Sequence, residues 1–168
     1  MPRRTSKAAG PTAGVSAYEV GVRLLARRAH SRVELRRKLA RRGYEEEDIA
    51  AALARLGELG YLDDAAFAAA HIRRRSAGRG PLALSAELAA RGVDRRASGR
   101  ALAAFDHTAQ VASATRLAER LCGRNRPAGY GELLDSVGAK LLRRGFSPGV
   151  AREACWAVWA GREAAPTA

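Results

Sequence analysis

The sequence predicts an all-α protein made of three tandem three-helix repeats that form an elongated, curved helical array. Three observations carry that expectation. The first is composition: 38 of the 168 residues are Ala, aromatic residues make up 5%, and Pro numbers only 6, a balance that suits helices packed through small side chains. The second is apolar spacing at helical period, broken by glycine stops, along nearly all of the chain beyond Tyr18. The third is an internal repeat. Leu39-Ala40-Arg41-Arg42-Gly43-Tyr44, Leu88-Ala89-Ala90-Arg91-Gly92-Val93 and Leu141-Leu142-Arg143-Arg144-Gly145-Phe146 share the pattern L-x-x-R-G followed by an apolar residue, with glycines 49 and 53 residues apart. Leu35, Leu84 and Val137 lie one turn before the three leucines. Units that stack mainly on their neighbours make an architecture suited to lying along something extended.

The elements follow in order. Residues 1–16 combine Arg3, Arg4 and Lys7 with Gly, Pro, Ser and Thr, and read as a disordered basic arm. The first repeat, 17–60, opens with a helix over Ala17–Ala29 whose inner face carries Ala17, Gly21, Leu24, Leu25 and Arg28. Ser31 and Glu34 form an S-x-x-E capping box for the second helix, with Leu35 and Leu39 as its stripe and Gly43 as its stop. Glu45 to Asp48 place four acids at the positive end of the third helix, which carries Ile49, Leu53 and Leu56 and stops at Gly60. In the second repeat, 61–106, Asp63 caps a helix bearing Phe67, His71 and Ile72. Pro81 opens the next helix, which carries Leu84 and Leu88 to Gly92, and a third follows Asp94 to about Phe105. In the third repeat, 107–161, a helix spans about 108–122 and the loop Arg124–Gly129 opens another that ends at Gly145. Ser147 and Pro148 then start a last helix ending near Trp159, and 162–168 form a disordered tail.

Charge bounds the partners. Lys+Arg number 30 against 17 Asp+Glu, a formal net charge of +13, which favours a polyanion or a complex containing one. Arg outnumbers Lys 27 to 3, however, and Ala, Gly and Arg are residues a GC-rich genome supplies, so arginine enrichment alone is not evidence of phosphate recognition. No apolar stretch approaches the ~18 residues of a membrane span, and residues 1–15 lack a secretory segment, so a soluble cytoplasmic protein is expected. Cys122 and Cys155 read as two reduced packing residues. No phosphate-binding glycine loop, zinc-protease motif or nucleophile elbow is present. His71 reads as a partly buried, hydrogen-bonded side chain, and Asp63-Asp64 as helix capping. Neither catalysis nor a cofactor or metal is expected.

The basic residues divide into two kinds. Arg42, Arg91 and Arg144 recur in one slot before the glycine and read as structural. Better binding candidates lie between Arg23 and Arg42, where nine Lys+Arg face one Glu for a net +8. Arg23 and Arg27 belong to the first helix. On the second, Arg37 and Arg41 fall nearly opposite the Leu35/Leu39 stripe, with Arg36 and Lys38 on its flanks. A second candidate is the run Arg73 to Arg75 with Arg79, beside the loop before Pro81. Tyr44, Tyr61, Val93, Phe146, Trp156 and Trp159 read as core or inter-repeat packing.

Ordered motifs then join into one pattern. Ala26-Arg27-Arg28-Ala29-His30-Ser31-Arg32-Val33-Glu34-Leu35-Arg36-Arg37-Lys38-Leu39, Gly60-Tyr61-Leu62-Asp63-Asp64 with Phe67-Ala68, and Arg79-Gly80-Pro81 with Glu87-Leu88 resemble, at the right spacings, the RecX family of bacterial regulators that bind the RecA recombinase. The likeness covers about residues 18–160. Ala66 and Leu82-Ala83 stand where the family often has a basic residue. The resemblance implies a non-enzymatic monomer that lies in the groove of the RecA filament on DNA, beside or against its single strand. It also implies a lowering of RecA recombinase, ATPase and co-protease activities, with consequences for DNA repair, recombination and the SOS response. The alternative is a sequence-independent DNA-binding helical protein or transcriptional regulator.

Overall fold

The computed structural model describes residues 14–123 and 127–163. The expected arm over 1–13, the loop residues 124–126 and the tail over 164–168 lie outside the described residues. Within them the chain is helical: α1 (Ala17–Arg27), α2 (Arg32–Ala40), α3 (Glu46–Glu58), α4 (Asp64–Arg75), α5 (Pro81–Ala90), α6 (Arg95–Ala103), α7 (His107–Cys122), α8 (Tyr130–Leu133), a π-helical turn (Leu134–Gly138), α9 (Ala139–Arg143) and α10 (Pro148–Glu163). The last helix continues four residues beyond Trp159.

Capping explains most of the starts. Asp63 accepts from the amides of Ala65 and Ala66, Asp94 from those of Arg96 and Ala97, and Asp106 from that of Ala109. Each fills amides that a helix start leaves without partners. The reciprocal capping box, however, forms at Ser16 and Glu19 and opens α1. At α2, Ser31 accepts from the Glu34 amide at 3.1 Å, but the Glu34 carboxylate turns away to Arg28, His30 and Arg91. Three cationic or donor groups outcompete the single backbone amide of Ser31. Arg28 is correspondingly not on the inner face of α1; it follows the helix end and is exposed.

Two apolar clusters hold the molecule together. The first unit has its own, built from Val20, Leu24, Leu35, Leu39, Ile49 and Leu56 among others. The second and third units share one, running from Phe67 and Leu84 through Leu117 and Leu141 to Phe146 and Val158. The repeat is therefore triple in sequence but double in packing.

The joints between units use one device twice. At the first joint the start of α2 meets the end of α5: the Ser31 hydroxyl donates to the Arg91 carbonyl, and Val33 fills the space that a Cβ on Gly92 would need. At the second, the start of α5 meets the end of α9: the Gly80 amide donates to the Arg144 carbonyl (2.9 Å) and the Leu82 amide to the Gly145 carbonyl (3.2 Å). Gly92 and Gly145 have φ of +76° and +86°, and a side chain on Gly145 would run into the Ala83 backbone. Left-handed backbone and close approach both require glycine at these two positions.

The recurring arginine sits in the same device. Arg91 reaches Glu34 of the preceding unit at 2.8 Å, and Arg144 donates to the Gly78 carbonyl at 3.4 Å. Arg42, in the first unit, donates to the Lys38 carbonyl of its own helix at 3.0 Å. Asp64 completes the first joint by accepting from the Arg32 amide at 2.8 Å, so one member of the Asp63-Asp64 pair caps its own helix and the other caps α2.

The π-helical turn interrupts the helix that corresponds to α2 and α5. Ser136 donates to the Glu132 carbonyl at 2.7 Å, drawing one acceptor out of the helical ladder, and Gly138 leaves room for Leu134 one turn earlier.

Candidate functional site

The basic face starts from α2. With Leu35 and Leu39 fully buried, Arg36, Arg37 and Arg41 are exposed and Lys38 is half-buried. Arg36 is engaged by Glu46 at 2.8 Å, an exposed pair that contributes little to stability. Arg37 and Arg41 have no ion pair among the described residues, nor does Lys38. On α1, Arg23 and Arg27 are likewise exposed and unpaired among the described residues, and Arg23 lies near enough to Glu19 to help lower its carboxyl after the dominant hydrogen bonds from Ser16.

The second candidate patch is arranged differently. Arg73 is exposed and unpaired among the described residues, whereas Arg75 and Arg79 are drawn together onto Glu87, at 3.2 and 3.4 Å. His71, buried against Phe67, places Nε2 2.8 Å from the same carboxylate, and its Nδ1 is buried without a hydrogen-bond partner among the described residues. Burial would raise the Glu87 carboxyl, but the Arg75 and His71 hydrogen bonds and their charge outweigh it and hold it below the usual carboxylate range. Two of the predicted binding arginines thus also bind the fold.

Glu34 gathers a matching cluster across the joint: Arg28 at 3.2 Å and His30 at 3.3 Å from its own unit, and Arg91 at 2.8 Å from the next. Here too burial pushes the carboxyl up, while the Arg28 hydrogen bond and charge, with Arg91 and His30, bring it down. His30 is pushed below its ordinary value, first by burial and then by the Arg28 charge. Arg91 also passes its guanidinium over the Phe67 ring at 6.0 Å. Sequence reasoning missed this convergence because Glu34 and Arg91 are 57 residues apart; the repeated slot of Arg91 was the signal that could have found it.

Two aromatic assignments are corrected. Val93 and Phe146 are buried as expected, but Tyr61 is 61% exposed and Trp156 57% exposed. Trp156 faces away from the α10 stripe of Val150, Ala154 and Val158, and Tyr130 meets it edge-on at 5.4 Å. Both cysteines are free and buried, and burial, then the neighbouring Cys122, pushes the Cys155 thiol up to about 11. No helix among the described residues is long and apolar enough to cross a membrane. No group of three or more His, Cys, Asp or Glu among them is placed to hold a metal ion.

Compared with known proteins, the chain is 43% identical over 124 residues to regulatory protein RecX of Xanthomonas axonopodis pv. citri (strain 306), a stretch that covers 73% of this chain and 75% of that protein. The chain belongs to the RecX family. Family models for the first and second RecX three-helix domains match residues 17–56 and 63–102, the spans of α1–α3 and α4–α6. Regulatory protein RecX of Mycobacterium sp. (strain JLS) is 36% identical over 157 residues, covering 90% of this chain and 86% of that one. Among solved structures, RecX from Lactobacillus salivarius superimposes with a TM-score of 0.79 at 23% identity over 86% of this chain and 95% of that one, a likeness of fold. A second crystal structure, of regulatory protein RecX, gives a TM-score of 0.72 at 26% identity over 80% of this chain and 68% of that one. Tandem three-helix packing is therefore the RecX architecture, and a regulatory role is the function these relatives share by name.

Proposed function

We propose that this RecX protein is a cytoplasmic, monomeric, non-catalytic regulator that binds the RecA filament on DNA and lowers its ATPase, recombinase and co-protease activities, thereby tempering recombination, repair and the SOS response. The observation that supports it is the outward face of α2: Arg37 and Arg41, opposite a fully buried leucine stripe, remain without acidic partners among the described residues. Cations left unpaired on a rigid helix attract an anionic assembly at long range and orient the encounter. Arg23 and Arg27 extend the same chemistry, and single-stranded DNA at the filament surface is a second source of negative charge.

The test is a titration of the protein into RecA assembled on single-stranded DNA. ATP hydrolysis and strand exchange are expected to fall at low ratios of protein to RecA; unchanged rates reject the reading. Arg37→Glu/Arg41→Glu, with helicity intact by circular dichroism, is expected to weaken inhibition roughly tenfold or more, since two reversed charges remove and repel. Undiminished inhibition would reduce those arginines to solvated surface. The high net charge also favours direct DNA binding. In that case affinity for bare duplex falls with salt at a slope near −0.9 per phosphate neutralised, with or without RecA.

A further inference from the structure

The first joint is flanked by an open cleft of about 600 Å3, with Glu34 on one side and His71, Arg74, Arg75, Glu87 and Arg91 on the other. That size lies in the range of small-ligand and side-chain pockets. Its charges do not balance. Arg91 and Arg75 line the cleft beside their carboxylates Glu34 and Glu87, while Arg28 and Arg79, outside the lining, draw on the same two carboxylates. Arg74 is the third guanidinium of the lining and has no ion pair among the described residues, so three cationic side chains line the cleft against two carboxylates. Each guanidinium carries five N–H donors, and two carboxylates cannot fill them. A concave site with a surplus of like charge concentrates the opposite sign.

We propose that this cleft receives a carboxylate side chain from an acidic segment of a protein partner, held between Arg74 and Arg91. The cleft's arginines already take planar carboxylates, the geometry a guanidinium fork matches. A nucleic-acid strand fits less well, because successive phosphates would have to pass Glu34 and Glu87. A single protruding carboxylate enters between them. The inference rests on the reading of this chain as a filament-docking regulator and deepens it by naming the partner's chemistry. Arg91 then serves twice, tying the two units together and presenting its remaining donors to the ligand.

The experiment uses the full chain and two probes, a fluorescein-labelled hexaglutamate peptide and a labelled single-stranded hexathymidylate, followed by fluorescence anisotropy without RecA. Arg74→Ala is expected to weaken peptide binding about tenfold, the loss of a charge-assisted contact. Arg100→Ala removes the same charge from an exposed position of α6 outside the cleft and is expected to leave binding within about twofold. Ala90→Glu, on the cleft wall, supplies a carboxylate in place and should also abolish peptide binding. Equal losses from Arg100→Ala and Arg74→Ala would overturn the proposal in favour of a general field. So would a wild-type chain that does not bind the peptide, or an Arg74→Ala defect confined to the oligonucleotide. Filament inhibition is read separately, so a chain that fails to slow RecA but holds the peptide undoes the filament reading alone.

Discussion

Glu34 shows how one side chain is claimed by the fold at the expense of a local motif. As an N3 residue it could close a capping box with Ser31; instead it holds Arg28, His30 and Arg91 at the joint between units. The same cluster sets a pH dependence. His30 is kept below its ordinary value by burial and by the Arg28 and Lys38 charges, against the pull of Glu34. An unfolded chain therefore binds more protons than the folded one as pH falls through the ordinary histidine value near 6.5. Stability from this group is complete above that value and is lost toward the folded value. The urea midpoint of the wild-type chain is expected to fall between pH 7 and 5, while His30→Gln flattens that interval. An equally steep fall in the variant would assign the effect elsewhere. The lowered Glu34 and Glu87 carboxyls act in the next window, stabilising above about 4.5 and failing as pH drops through their depressed values.

Helices here are held by their ends. Caps at Asp63 and Asp94 and glycine stops at Gly43, Gly60, Gly92 and Gly145 were legible because each is a local chemical event written within four residues. The π-helical turn was not, because one additional residue between hydrogen-bonded partners leaves no trace in apolar spacing; Leu133, Val137 and Leu141 still recur every fourth position and are all buried. Trp156 misled for a related reason. Its spacing from Trp159 is helical, but spacing alone does not say which face of α10 turns inward. The binding surface was legible as charge on α2 and illegible as pairing, since the partners of Arg75, Arg79 and Arg91 come from other helices. Glycine substitutions separate these causes. Gly92→Ala and Gly145→Ala are expected to cost about 2 kcal/mol or more each, combining left-handed backbone with collision against Val33 or Ala83. Gly99→Ala, in the exposed interior of α6 with open space around it, should stabilise by about 0.5–1 kcal/mol. Urea denaturation of the three variants checks the order.

At the scale of the whole molecule, two apolar clusters make two bodies, and the joint between them is predominantly polar. Both tryptophans belong to the last helix, so their fluorescence reports the body made by the second and third units, whereas circular dichroism reports every helix. The first unit, with its smaller separate core, is expected to unfold first. The dichroism transition should then begin at lower urea than the tryptophan transition, and coincident curves would mean that the polar joint couples both bodies into one cooperative unit. Arg91→Gln should widen the gap by removing the strongest ionic link across that joint.

The joints also give the molecule a direction. The start of α2 rests on the end of α5, and the start of α5 on the end of α9, so the positive end of one helix meets the negative end of the next along the series. Each junction joins an N-terminal end to a C-terminal end, like cars coupled nose to tail. A chain built so is a vector rather than a rod with equivalent ends. Laid on a track that has its own polarity, it can be read in one sense only, and reversing it would put every contact out of register.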